Sequence, residues 1–345
     1  MRGYRIATAA PQGPVYIALD AGLQEDELVE PVPLPDWERL KTPTRIGPEP
    51  IALRQLAERL CAAERPLVVA GYVGRDPDAF GLLVELAEVV GVGVVDTGWR
   101  LSVPNRHELN VTGSAAVEEA DCVLFLDVKD MGKWTQELDR TTRRVTSRIA
   151  PGTTVLDLGF NEVGISSWSH DFAQLHETDL QVTADTAVAL PLLLDLCREL
   201  NANRREAWRA RLRELHDETW RSWRAEAEEN ADLSPVATSR LAAEVWTVAR
   251  DYDWVLSAGT ASDWAQRTWD FDRPYRHPGR SLGTATQIGI STGVALAHKG
   301  SGRLVVDLQP DGDLMFDLGA LWIAAYHRIP MLAVMFNNRA YHNDW

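Results

Sequence analysis

Short, continuous apolar runs separated by helix-length amphipathic stretches constrain this chain's fold more than any other feature. "PLVVAG" (66–71), "VGVVD" (92–96), "CVLFLDV" (122–128), "TVLDLG" (154–159) and "DLQVTAD" (179–185) are each bounded by Pro, Gly or polar residues. A strand that is apolar on successive residues must be covered on both faces, which is the situation of strands in parallel sheets flanked by helices. Between the runs, residues 50–64 carry the helical stripe Ile51, Leu53, Leu56, Ala57 and Leu60, and further helices are predicted over about 77–90 and through Leu200. Strands alternating with helices predict an α/β protein with an open, mostly parallel sheet. A second series starts near Ser234. It has a helix (about 235–250), "WVLSAG" (254–259), a helix (about 289–298), "LVVDLQ" (304–309), a helix (about 317–327) and "MLAVMF" (331–336).

The segments outside these series read differently. Val15–Leu19 is a strand-like run, followed by an extended stretch with Pro31, Pro33, Pro35, Pro43, Pro48 and Pro50. Proline can continue neither a ladder nor a helix, so this stretch reads as a linker. Residues 201–233 are helical with mixed charge, and Trp208, Leu212, Leu215, Trp220 and Trp223 supply apolar contacts. The alternating sign leaves no basic stripe, so a helix packed between two units is expected rather than a nucleic-acid face. A lone strand at the start and a parallel strand close to the end suggest a sequence incomplete at both ends.

A net charge of −15 argues against nucleic acid or an anionic membrane as the main partner. A small anionic ligand is still compatible, because backbone N–H groups and a metal bind it locally. Cys61, Cys122 and Cys197 lie far apart in apolar settings without a CxxC pair, so all three read as small buried hydrophobes. No apolar run reaches membrane-spanning length and the first residues lack a signal-peptide core, which makes a reducing cytoplasm the expected compartment.

The chemistry concentrates in "LQPDGDLMF" and "FNNRAY", one helix and one strand apart. Ligands of open parallel sheets bind beyond the carboxyl ends of the strands, so Asp311 and Asn338 can converge on one point. A carboxylate with an amide oxygen is a hard donor set suited to Mg²⁺ or Ca²⁺, and Mg²⁺ keeps positions free for phosphate oxygens. Gly312 lets backbone approach a ligand, and a helix starting near Asp317 would aim its N-terminus the same way. Each segment taken singly also reads as an ordinary turn.

Together the two segments resemble the "GDG…NN" motif of thiamine diphosphate (ThDP) enzymes of the acetolactate synthase and 2-keto acid decarboxylase superfamily. Pro310 replaces the first Gly of that motif. The resemblance implies metal ligation by Asp311, Asn338 and the backbone carbonyl of Ala340. It also implies cofactor contacts from Gly312, Asp313 and Leu314. Upstream, "VLSAGTASDW" resembles a strand and Gly-Thr turn in which Gly259 and Thr260 contact the diphosphate. "SLGTATQIGISTGVALAH" is similar to a Gly-rich stretch, placing Ile288 where a bulky residue wedges the bent cofactor, next to Gly289; Ser291 and Thr292 depart from the usual residues.

The same resemblance divides the chain. Residues 1–48 would be the tail of a pyrimidine-binding domain plus linker, and 49–200 a central Rossmann-like domain. A helical linker, 201–233, would lead to a truncated diphosphate-binding domain at 234–345. Some members bind FAD or ADP on the central domain, but "VVAGYVGRD" supplies Gly71 and Gly74 without a full GxGxxG. The implied activity is ThDP- and Mg²⁺-dependent decarboxylation or carboligation of a 2-keto acid or related carbonyl compound. The partners implied are a homodimer or homotetramer, or a companion chain with the pyrimidine-binding domain. The activating Glu belongs to that domain; Glu25, Glu27 and Glu30 do not match its context, so the catalytic residue stays unassigned. His342 reads as a surface-loop residue, His298 and His327 as helix-end residues, and Asp307 as structural. The alternative is a non-catalytic, nucleotide- or cofactor-binding regulatory protein of two Rossmann-like units.

Overall fold

A computed structural model describes residues 1–98, 100–160, 176–200, 205–257, 262–277, 279 and 286–341. The N-terminal part holds two short helices, α1 (Arg2–Thr8) and α2 (Ala21–Glu25), and little else that is regular. Val15–Leu19, expected as a strand, joins no sheet among the described residues, and Tyr16 is 93% exposed. An apolar pattern expresses a strand only where a neighbour offers backbone partners, and none lies beside this run.

The first series forms as read. Helix α3 (Pro50–Ala62) starts with Glu49, whose carboxylate accepts from the backbone N–H of Ile51 and Ala52; Pro50 fits the first turn because no intrahelical donor is needed there. Strand β1 (Pro66–Ala70), α4 (Pro77–Val90), β2 (Gly93–Asp96), α5 (Ala116–Glu119) and β3 (Cys122–Leu126) come next. Asp76 caps α4 and Gly91, at φ 72°, ends it in the left-handed conformation that a side chain would strain. A small excursion, α6 (Gly132–Thr135) with the antiparallel pair β4 (Gln136–Leu138) and β5 (Val145–Ser147), precedes β6 (Thr154–Gly159), β7 (Leu180–Thr183) and α7 (Thr186–Glu199).

β1, β2, β3, β6 and β7 make one parallel sheet in the order β2-β1-β3-β6-β7. Every residue of β1, β2 and β3 is buried. Helix α8 (Glu206–Glu229) lays Trp208, Leu212 and Leu215 into the same core, and the Trp208 indole N–H donates to the Pro66 carbonyl at 3.0 Å. Its far end reaches the second unit, where Glu226 and Arg267 stand 4.0 Å apart. The expected helix between two units is thus observed.

The second unit contains α9 (Thr238–Ala249), β8 (Trp254–Leu256), α10 (Ser262–Thr268), α11 (Gln287–Ala297), β9 (Leu304–Pro310), α12 (Asp311–Phe316), α13 (Gly319–Tyr326) and β10 (Leu332–Phe336). Its three strands are parallel in the order β10-β9-β8. The helix predicted over about 317–327 forms as α13, and a short helix that the sequence pattern did not disclose, α12, precedes it from Asp311. Asp317 leaves helical conformation at φ −143°, ψ 62°, and its carbonyl accepts from the Ala320 N–H, so the chain restarts rather than continues. Leu304, Val306 and Leu308 face a core with Trp254, Trp269 and Phe271, while Val305 faces Ala295, Ala324 and Ile329. Among the described residues no helix is long and apolar enough to cross a membrane.

Candidate functional site

β9 and β10 end side by side, with Pro310 paired to Phe336, so the segments leaving the two strands emerge at the same edge. The Asp311 carboxylate accepts the backbone N–H of Asn338 at 3.0 Å. The Asn338 side-chain oxygen in turn accepts from the Ala340 N–H at 3.2 Å, and that of Asn337 accepts from the Arg339 N–H at 2.9 Å. Arg339 takes φ 62°, which turns the chain back over the strand ends. Asp311, Asn338 and Ala340 are therefore one hydrogen-bonded cluster. Asp311 is half-buried and Asn338 exposed, so the edge is open to a ligand.

Pro310 fits its place. It adopts φ −74°, ψ 159°, which the proline ring allows without strain. Ser257 N–H donates to the Val306 carbonyl, and alternate residues of β9 face the same flank, so Pro310 points its missing N–H towards β8. β8 has already stopped at Leu256, opposite Val306. Gly312 is held close to the second loop: a Cβ there would stand 3.1 Å from the Tyr341 backbone. Asp313 and Leu314 are buried, and Leu314 packs with Ile288 and Ala320. Ile288 is wholly enclosed in that cluster, whereas Gly289 next to it is exposed with open space around it. Gly259, Thr260 and His342 lie outside the described residues.

Beneath the loops sits a polar layer that sequence reasoning missed. Gln287, Ser291, Asp307 and Gln309 are all 0% exposed. The Gln287 amide donates to Asp307 Oδ1 at 3.1 Å and to the Leu308 carbonyl at 2.8 Å, tying the start of α11 to β9. Ser291 donates to Ser257 Oγ at 2.8 Å, and Ser257 to the Val306 carbonyl at 3.0 Å. Burial pushes the Asp307 carboxyl up to about 6, against the opposing pull of Gln287 and Ser291, and the Asp313 charge adds to the rise. Among the described residues, Asp307 Oδ2 and both amide atoms of Gln309 have no hydrogen-bond partner. The available signal was the placement of two polar residues two positions apart in an otherwise apolar strand, which puts them on one face.

The helix-end histidines differ. His298 caps α11, and burial beside the Arg303 guanidinium lowers its pKa. His327 ends α13, and its carbonyl accepts from Lys299 Nζ at 2.7 Å.

At the central sheet the switch between β1 and β3 opens a cavity of about 610 Å³ lined by Gln12, Arg45, Arg75, Asp127, Lys129 and Asp185, among others. Arg75 bridges Asp127 and Asp185, the latter at 2.9 Å. Gly71 and Gly74 serve packing: a Cβ would stand 2.2 Å from the Asp127 carbonyl oxygen and 2.1 Å from that of Leu101. The turn after β1 is thus closed by packing and lacks the full GxGxxG on which a dinucleotide's pyrophosphate would rest.

Comparison with known proteins decides what the strand-end cluster belongs to. Residues 257–343 match the family model described as "Thiamine pyrophosphate enzyme, C-terminal TPP binding domain". Over these residues the chain is similar to the cofactor-binding domain of ThDP-dependent enzymes. It is 24% identical to glyoxylate carboligase of Escherichia coli over 98% of this chain and 56% of that protein. It is 23% identical to the acetolactate synthase isozyme 3 large subunit of E. coli, over 98% of this chain and 58% of the other. Benzoylformate decarboxylase from Polynucleobacter necessarius superposes with a TM-score of 0.72 at 17% identity, covering 99% of this chain and 60% of that one. The chain spans little more than half the length of the curated relatives it matches.

The donor set fits the cofactor's metal. Among the described residues no three His, Cys, Asp or Glu side chains gather as a metal site. One carboxylate, one amide oxygen and one backbone carbonyl within a single loop cluster suit a Mg²⁺ ion that takes its other ligands from diphosphate and water.

Proposed function

We propose that this chain supplies the magnesium–diphosphate half of a ThDP site in an enzyme that decarboxylates or joins 2-keto acids or related carbonyl compounds. The observation that carries this reading is the Asp311–Asn338 hydrogen bond, which brings both metal-binding residues to one strand edge. Asp311 and Asn338 would hold the metal through side-chain oxygens and Ala340 through its carbonyl. Gly312 keeps the first loop slender beside Tyr341, and Asp313 and Leu314 anchor it by burial. When bound, ThDP supplies a positively charged thiazolium ring that accepts the electron pair left by a departing carboxylate. Ile288 buttresses the floor of the site through Leu314. The printed activities of the relatives, carboligation, acetolactate synthesis and benzoylformate decarboxylation, share this carbonyl chemistry.

The division into residues 1–48, 49–200, 201–233 and 234–345 belongs to the same proposal, as does assembly with a second copy or with a chain bearing a pyrimidine-binding domain. Support comes from α13 and β10. Trp322 and Tyr326 are 65% and 68% exposed, and Leu332 and Met335 are 40% and 45% exposed, an apolar face that calls for cover. Calorimetric titration with ThDP, with and without Mg²⁺, tests the reading, using Asp311→Ala as control. Magnesium-dependent binding that this variant loses is expected. Absence of such binding, even after adding a chain that carries a pyrimidine-binding domain, sinks the proposal.

A further inference from the structure

The loop that follows β2 carries a side chain turned over to the second unit. Asn105 Nδ2 donates to the carbonyls of Gln266 at 3.1 Å and Trp269 at 2.9 Å, and its Oδ1 accepts the Phe271 N–H at 2.9 Å. Both amide protons and the side-chain oxygen are thereby engaged by residues 266–271. Beside it, Arg106 Nη2 donates to the Thr268 carbonyl at 3.1 Å, while its guanidinium lies 3.7 Å from the centre of the Trp220 ring on α8. Gln266 and Thr268 belong to the last turn of α10. Carbonyls there have no intrahelical donor, and two side chains of the central unit supply one.

The loop is fixed before it reaches across. The Asp96 carboxylate accepts the N–H groups of Gly98 at 2.8 Å and Ser102 at 2.7 Å. The Pro104 carbonyl takes the His107 N–H at 3.2 Å and Asn110 Nδ2 at 3.1 Å, so the residue before Asn105 is held by its own unit. On the far side, Trp269 and Phe271 are 0% and 1% exposed and share a core with Val306 and Leu308 of β9. Those two residues alternate with Asp307, whose face of the strand takes the Gln287 contact. β9 is therefore gripped on both faces shortly before it delivers Asp311.

Resting on the function proposed above, we propose that Asn105 is a positioning residue for the magnesium–diphosphate edge. It acts through other residues. Its amide fixes the 266–271 segment to a pre-formed loop, the Trp269 and Phe271 rings fix one face of β9, and β9 sets where Asp311 stands against Asn338. The central unit thus serves the cofactor edge as its fixed support.

The test compares the full wild-type chain with Asn105→Ala and with Asn105→Asp, which keeps the acceptor for Phe271 but sets a carboxylate against two carbonyls. Calorimetry with ThDP and Mg²⁺ is run beside amide hydrogen exchange at Phe271, with circular dichroism confirming that each variant is folded. Magnesium-dependent ThDP affinity should fall roughly tenfold in both variants. Linkage requires the converse, so ThDP with Mg²⁺ should slow exchange of the Phe271 N–H in the wild-type chain. At equal saturation that slowing should vanish in Asn105→Asp. A side chain that only braced the fold would alter the exchange rate without making it respond to the ligand. Folded variants that bind ThDP as the wild type does overturn the proposal and leave the reading of the site intact. Wild-type exchange at Phe271 that ignores the bound ligand overturns it as well. Absence of binding by the wild-type chain sinks the reading and the proposal together, and the wild-type titration tells these failures apart. If neither variant folds, the wild-type exchange measurement decides.

Discussion

The two parallel sheets obey the same strand rules but are covered very differently. β1 and β3 of the central sheet are buried at every residue, with α3, α4, α7 and α8 contributing to their core. β10 of the second sheet has no fully buried residue, although "LAVMF" is as apolar as "PLVVA". Helix α13 repeats the contrast, since "GALWIAAY" is apolar all round yet buries only Ala320 and Ala324. A helix of that kind is stable when it is enclosed on all sides. The central unit buries its strands beneath its own helices, while the unit that holds the family-matching residues leaves apolar strand and helix faces exposed among the described residues.

The sharpest way to break this contrast is truncation in each sheet. Leu124→Ala in β3 removes a wholly buried side chain and should cost about 3 kcal/mol, whereas Met335→Ala on β10, 45% exposed, should cost less than about 1 kcal/mol. Urea unfolding of both variants measures the difference. Equal costs would mean that the second sheet is as closely packed as the first.

Asp307 gives the next largest effect and probes the buried centre of β9 in the second sheet. Its folded carboxyl is raised from 3.8 to about 6, so between those values the folded chain holds a proton that the unfolded chain has lost. Stability contributed by this group is therefore full below about pH 4 and falls as pH rises to about 6. Asp307→Asn keeps an acceptor for Gln287 and removes the slope, with a gain near pH 7 on the order of 2–3 kcal/mol. Denaturant titrations at pH 4, 5, 6 and 7 read it; a variant with an unchanged slope would refute the assignment.

These two tests also mark what the sequence could disclose. Strand and helix positions of both units were legible because "CVLFLDV" or "LVVDLQ" between helical stripes permits few alternatives. The Asp311–Asn338 site was legible because a βαβ step fixes where consecutive strands end. Val15–Leu19 misled because apolar periodicity says nothing about whether a pairing strand is at hand. The short helix α12 was hidden because "PDGD" reads as a turn. The Gln287–Asp307 contact was illegible, since it depends on how α11 packs over β9.

Trp322 tests whether the bare face of the second unit is an interface. Trp322→Arg should change chain stability by less than about 1 kcal/mol, because the ring is 65% exposed and stacks on Tyr326 alone among aromatic neighbours. Sedimentation velocity over a concentration series should show self-association of the wild-type chain that the variant weakens. Identical profiles would assign this face to a different partner.

The smallest expected effect on stability falls on Gly312, and it separates packing from function. A Cβ there would press on Tyr341 at 3.1 Å from Cα, close enough that the loop must yield by a few tenths of an ångström. Tyr341 is half-buried and its ring meets Phe316 edge-on at 5.0 Å, so the loop can yield at a cost of about 1 kcal/mol or less. The same shift is transmitted through Ala340 to Asn338, whose backbone N–H is held by Asp311. Gly312→Ala should therefore leave the unfolding midpoint nearly unchanged while weakening magnesium-dependent ThDP binding by roughly tenfold. If affinity and stability instead fall together, the glycine serves the packing of α12, and the loop cluster is not the part of the molecule that the cofactor reads.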